Sequence, residues 1–173
     1  MIRGEKVYLR ALEPDDLPLL YEWENNVDNW LVSNTSAPFS KHLLQKFIET
    51  SSTDLYVNQQ MRLMICEKAA SRAVGCIDVF EFEPAHLRAG IGILIDEPWR
   101  RQGFALDSLR LTKEYLFKVL HLHQIFCNIM PDNTASIRLF QKAGFQQCGV
   151  KRDWIRTADG WADELMFQVF NEN

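Results

Sequence analysis

The stretch Arg100-Arg101-Gln102-Gly103-Phe104-Ala105 carries the clearest chemical signal in the chain. It follows the apolar run Ile91-Gly92-Ile93-Leu94-Ile95 and opens a helical pattern that continues to about Leu120. A strand that ends in a basic, glycine-containing turn and feeds a helix presents free first-turn N–H groups to an anion, and the helix dipole favours negative charge there. Gly103 lets backbone approach a ligand that a Cβ would keep away. Arg100 and Arg101 add fixed positive charge. The simplest ligand is a pyrophosphate. The same residues also fit an ordinary strand-to-helix turn with solvated arginines. No Gly-Lys-Ser/Thr follows, which excludes a P-loop, and a single glycine excludes the dinucleotide fingerprint.

The elements around this turn are legible from periodicity. Val7 to Leu12 reads as a strand, Glu13-Pro14-Asp15-Asp16 starts a helix, and Asn25 to Phe39 reads as irregular. Ser40 caps a second helix with Leu43, Leu44, Phe47 and Ile48 at helical spacing. Three β runs follow, Arg62 to Glu67, Ala73 to Phe82 and Leu87 to Asp96, with turns short enough for an antiparallel meander. A helix from Gly103 to Leu120 leads to a strand from Ile125 to Met130, so the strands near residues 93 and 127 are expected to run parallel. Asn133 caps a helix from Thr134 to about Ala143, Gly144 stops it, and Phe145 to Arg152 and Trp161 to Phe170 form a closing hairpin. The expectation is one α/β (α+β) domain over residues 1–173. It has a mixed sheet, antiparallel first and parallel in the middle, flanked by about four helices.

Composition narrows the function. Hydrophobic content of 47% and charge content of 24% are those of an ordinary globular chain of 173 residues. A net charge of −4 argues against general nucleic-acid binding and suits a cationic small substrate. Cys66, Cys76, Cys127 and Cys148 form no C-x-x-C pair and read as buried free thiols in a reducing compartment. No apolar leader and no membrane-length run occur, so a cytoplasmic location is expected. The four histidines make no metal spacing, and no metal is expected.

The element order, with Arg100-x-x-Gly103-x-Ala105 and a second block, Asn133-x-x-Ser136-x-x-Leu139-Phe140-x-x-x-Gly144-Phe145, resembles the GNAT superfamily of N-acetyltransferases over nearly the whole chain. It looks most like the branch holding ribosomal-protein alanine acetyltransferases and spermidine acetyltransferase-like proteins. The resemblance implies acetyl-CoA as cofactor, a primary amine as acceptor, and a homodimer as one plausible assembly. A polyamine or other small amine leads as acceptor, a protein N-terminal amine follows, and a non-catalytic acyl-CoA sensor is the rival from outside enzymes.

The chemistry fits. Two parallel strands that splay leave unpaired N–H and C=O groups, and a pantetheine arm with its two amides fills such a gap as a false strand. The expected splay lies between Ile93–Ile95 and Cys127–Met130. The pyrophosphate then falls on Gln102 to Ala105, with Asn133, Ser136 and Phe140 near the pantetheine or sulfur. Asn133 is equally a helix cap, and Phe140 equally a core aromatic. Acetyl transfer at pH 7 first removes a proton from an alkylamine of pKa near 10.4, a cost of about 4.6 kcal/mol. An N–H around Leu94 or Ile95 is the expected oxyanion donor. Two departures from the commoner pattern stand out. Gly90 occupies a place where many relatives carry glutamate, and Phe140 replaces a tyrosine that donates to the thiolate. Ser136 is the nearest remaining hydroxyl and is assigned to the thiolate, although it also fits a helix residue bonding its own backbone. Asp78 is the candidate base, placed by alternation with Cys76, Phe80 and Phe82, and it also fits a paired structural carboxylate. Glu81 and Glu83 fall on the other face and could steer a polyamine. Trp30 and Trp154 are candidate walls of the acceptor cleft.

Overall fold

The computed structural model describes residues 1–33, 35–51 and 55–172. One eight-stranded sheet organises it, in the spatial order β1-β2-β3-β4-β5-β6-β8-β7. The strands are β1 (Ile2–Arg3), β2 (Val7–Ala11), β3 (Met61–Glu67), β4 (Ala73–Glu83), β5 (Arg88–Ile95), β6 (Gln124–Ile129), β7 (Gln146–Thr157) and β8 (Gly160–Phe170). Six helices flank it among the described residues: α1 (Leu17–Glu24), α2 (Val27–Ser33), α3 (Lys41–Ser51), α4 (Leu55–Asn58), α5 (Phe104–Lys118) and α6 (Thr134–Lys142). The count of about four helices is therefore corrected to six. The segment read as irregular holds the seven-residue α2, and both it and the four-residue α4 are too short to show a period.

β5 and β6 are the parallel pair, as the βαβ reading requires, and every other ladder is antiparallel. The parallel ladder contains three pairs, Arg88–Gln124, Ala89–Ile125 and Gly90–Phe126. Beyond Gly90 the two strands part.

Each face of the sheet carries its own core. Ile65, Ile77, Val79, Ile91, Ile125, Cys127 and Phe167 pack against α5 and α6 through Leu109, Leu116 and Phe140. Leu12, Met64, Cys66 and Cys76 pack against α1 and α3 through Leu20, Trp23, Leu44 and Ile48. Arg10 binds the buried Asp16 with two bonds of 2.6 and 2.7 Å, fixing the entry to α1 against β2. Asp107 in the first turn of α5 accepts the Lys6 and Val7 N–H groups at 2.8 and 3.0 Å, which ties the start of that helix to the start of β2. Ser40 Oγ accepts the Leu43 N–H at 3.1 Å and caps α3 as its sequence suggests.

The strand β4 departs from simple alternation. Its register shifts between Phe80 and Glu83, and Glu81 takes a left-handed φ of 46°. The bulge turns Phe82 into the core with Ile77 and Val79. Strict alternation had placed Phe82 beside Asp78; one extra residue in the strand reverses that.

Candidate active site

The turn before α5 is shaped for close approach. Arg101 and Gly103 both adopt left-handed φ, 62° and 86°, which bends the chain back before the helix starts. Gly103 is the N-cap residue, and no side chain caps the helix there. The first-turn amides of Phe104, Ala105 and Leu106 have no side-chain acceptor among the described residues. Around them, Lys6 Nζ donates to the Gln102 carbonyl at 2.9 Å, and Gln102 Nε2 donates to the Pro98 carbonyl at 3.3 Å. Arg100 folds back, with Nε donating to the Ile95 carbonyl at 3.0 Å. Arg101 remains exposed and makes no ion pair among the described residues.

At the splay, alternation decides which backbone groups are open. The Asp96 N–H bonds to the Val74 carbonyl on β4 at 2.9 Å. Even-numbered residues of β5 therefore turn their main chain to β4, while Ile91, Ile93 and Ile95 turn theirs to the gap. The Leu94 N–H therefore faces β4, whereas the Ile95 N–H, the other expected oxyanion donor, and that of Ile93 face the gap. The Ile95 carbonyl is already used by Arg100.

A cleft of about 1090 Å³ runs through this gap. Asp78, Phe80, Gly92 and Asn128 from one face of the sheet line it, and so do Ile91, Ile93, Cys127 and Ile129 from the other. It is a passage across the sheet at the splay. On the α6 side it meets Asn133, Ser136 and Phe140. Asn133 Oδ1 accepts the Ser136 N–H at 3.1 Å, so the cap exists, and the amide nitrogen of Asn133 makes no bond among the described residues. Ser136 Oγ has no partner there either, so the hydroxyl does not bond its own helix. Phe140 is buried against Phe145, ring centroids 5.1 Å apart, and also forms cleft wall.

On the α1 and α3 side the cleft meets charge. Arg62 is clamped between two carboxylates. Its Nε and Nη2 donate to Asp78 at 2.6 and 2.9 Å, and Nη1 donates to Glu24. Asp78 is thus a paired carboxylate that keeps about a third of its side chain exposed, at 34%. Glu81 lines the same cleft and has no ion partner among the described residues. That corrects its assignment to the opposite face; the bulge carries it round. Glu83 lies outside the cleft and is taken up by Arg88 at 2.9 Å. Trp30 lines the cleft with Nε1 donating to the Glu24 carbonyl at 2.8 Å. Trp154 does so too, but Lys151 Nζ already sits 5.1 Å from its ring centre, so its π face has an internal cation.

Gly90 is explained by packing. A Cβ there would meet the Phe80 ring at 2.3 Å, and Phe80 meets Phe126 edge-on across the glycine at 6.0 Å. Aromatic carbon fills the space that a carboxylate on this strand would occupy. Cys127 is buried, and burial drives its thiol pKa well upward, away from the thiolate form. Cys148 is exposed, unlike the other three cysteines, because it lies on the outer strand β7.

A cleft with carboxylates on one side of the sheet and α6 on the other, on a chain that also carries uncapped amides at the start of α5, suits two substrates, so the class is a group transferase. The family model described as acetyltransferase (GNAT) domain matches residues 6–146, and the chain belongs to that family of acetyl-CoA-dependent N-acetyltransferases. It is 26% identical to a probable N-acetyltransferase, YjcK, of Bacillus subtilis, over 99% of this chain and 97% of that one. It is 24% identical to the spermidine N(1)-acetyltransferase of Escherichia coli K12, over 84% of this chain and 75% of that one. The fold matches a spermidine N-acetyltransferase from Vibrio cholerae, solved in complex with CoA and spermine, with a TM-score of 0.86, 21% identity and 96% coverage of each chain. The residues present fit the acyl donor: uncapped amides for its phosphates and an open strand edge for its amide-bearing arm.

Proposed function

We propose that this acetyltransferase acts on a polyamine or a similar small amine bearing further positive charge. The observation that carries the reading is the charge at the acceptor mouth. Glu24 and Asp78 share Arg62, and Glu81, on the same cleft lining, has no ion partner among the described residues. Elsewhere in the cleft Lys151 neutralises Glu164 at 2.8 Å, and Arg156 is a third lining cation, so four carboxylates face three cations. The lining as a whole therefore keeps an excess of one carboxylate. A second ammonium group of the substrate matches that excess, and the spermidine acetyltransferases among its relatives point the same way.

The proposed division of labour follows the passage. The amides from Gln102 to Ala105, with Arg100 and Arg101 nearby, hold the diphosphate. The open edge of Ile93 and Ile95 receives the pantetheine amides, and Asn133 Nδ2 and Phe140 bound the far side. Acetyl-CoA supplies an activated thioester carbon when bound. Asp78 takes a hydrogen bond from the incoming ammonium and passes its proton to cleft water. As the N–C bond forms and the C–S bond breaks, an N–H of Ile93 or Ile95 binds the developing oxyanion and the nitrogen gives up its second proton to cleft water. Ser136 Oγ donates to the departing sulfur, which takes its proton from water. Glu81 holds a distal ammonium. The free thiols suit a reducing compartment such as the cytoplasm.

An amine panel tests the acceptor. Amine-dependent thiol release from acetyl-CoA is expected to be fastest with spermidine or spermine, slower with a monoamine, and slowest with a peptide that begins with alanine. A peptide that outpaces every polyamine overturns the assignment.

A further inference from the structure

Two successive rows of residues cross the sheet on the acceptor face, and they differ in one respect. In the first row Phe80 pairs with Gly90 and Gly90 with Phe126, and the two rings close over the glycine. In the second row Arg62 pairs with Asp78 and Asp78 with Gly92. Asn128 stands level with Gly92 across the splay, two residues past the last parallel pair. Opposed residues in a ladder share a face, so Asp78 and Asn128 flank a bare glycine floor. Among the described residues nothing closes over that floor: a Cβ at Gly92 would meet Phe80 Cε1 at an ordinary 3.7 Å.

Asn128 itself is anomalous. It is half-buried in an otherwise apolar run of β6, its Oδ1 is sealed from solvent, and that oxygen has no hydrogen-bond partner among the described residues. A sealed, pairless amide oxygen is costly unless something else fills its valence. The residue lines the cleft at the point where the strands part.

We propose that Asn128 positions the acceptor amine, its amide oxygen receiving an N–H from the nitrogen held above Gly92, opposite Asp78. The inference rests on the acetyl-transfer reading of the same cleft. Two fixed acceptors, one on each side of a glycine floor, leave the nitrogen lone pair to face the gap between β5 and β6. Asp78 carries charge and draws the ammonium form in. Asn128 is neutral and remains an acceptor once the amine has lost its proton. The arrangement selects a primary amine, because one N–H is needed for each flank.

The test uses Asn128→Ala and Gly92→Ala, with spermidine as the amine. Removing an oxygen without a protein partner exposes no orphan, so Asn128→Ala should melt within a few degrees of the parent and bind CoA within about twofold. Its kcat should fall about 10- to 100-fold, and calorimetric binding of spermidine to the CoA-bound protein should weaken. Asn128→Asp, which keeps an acceptor, should recover part of the loss. Gly92→Ala should fold and bind CoA normally yet raise the spermidine KM at least tenfold, since its methyl fits the protein but stands where the amine sits. A kcat within twofold for Asn128→Ala, or a loss confined to CoA affinity, overturns the proposal, as does an unchanged KM for Gly92→Ala. Parent protein that binds CoA yet releases no thiol with any amine refutes the underlying acetyl-transfer reading and the inference together.

Discussion

Asp78→Asn separates a proton-transfer role from a purely structural one. The carboxylate receives two bonds from Arg62, at 2.6 and 2.9 Å, and the arginine keeps Glu24 when Asp78 is altered. Each bond to a charged group is worth about 1.5–3 kcal/mol when intact. Asparagine preserves one acceptor and sets its N–H₂ against an arginine donor. The side chain is 34% exposed, so water makes good part of the loss. The net cost is about 1–2 kcal/mol, and at about 2–4 °C per kcal/mol for a chain of this size the melting temperature should drop about 2–8 °C. If the carboxylate also handles the amine proton, kcat/KM for spermidine should fall about 10²- to 10⁴-fold, far beyond what the stability change explains. Thiol release followed beside differential scanning fluorimetry measures both. A kcat/KM within threefold of the parent, with the melting temperature lowered as expected, refutes the catalytic part and leaves Asp78 as the partner of Arg62. An unmoved melting temperature refutes the energetic part.

Gly103→Val puts a branched side chain at φ 86° with its Cβ 3.0 Å from Lys6 Nζ; CoA affinity measured by calorimetry should fall at least tenfold, and unchanged affinity would remove the turn from the phosphate site. Ser136→Ala should lower kcat about 10- to 100-fold while leaving the CoA Kd alone, and an unaffected kcat excludes the hydroxyl from thiolate solvation. In the folded protein a thiol reagent should modify Cys148 alone at first, since Cys66, Cys76 and Cys127 are 0%, 4% and 1% exposed. Burial raises the pKa of Cys76 from 9.0 to about 12 and that of Cys127 further. The folded state therefore keeps these protons while unfolded thiols ionise. Stability should be whole below pH about 9 and decline as pH rises through 12, and Cys127→Val should flatten that decline in a series of melting temperatures.

Much of this was legible in the residues because local and global signals agreed. Gly103 before a helix, Asn133 as a cap and Gly144 as a helix stop are each dictated by backbone geometry, and the structure has the left-handed φ at both glycines and the cap at Asn133. Where the sequence reading failed, a single non-local event intervened. The bulge at Glu81 reverses alternation, so Phe82 enters the core and Glu81 enters the cleft. The helices α2 and α4 are seven and four residues long, too short for a period to show. The place of Gly90 depends on the Phe80 ring from a neighbouring strand, which no reading of β5 alone reveals. Asn128 left a signal that went unused: it is the lone polar residue between Ile125 and Met130, on the face shared with Phe126.

The brevity of the β5–β6 ladder has a mechanical consequence. Three residue pairs join the five-strand block β1–β5 to the three-strand block β6, β8 and β7, so the sheet has a seam across its middle. A guest strand lying in that seam would knit the blocks together. Amide hydrogen exchange at Cys127–Ile129 should slow once CoA is added, and the two blocks should then unfold as one unit where the free protein loosens first along the join.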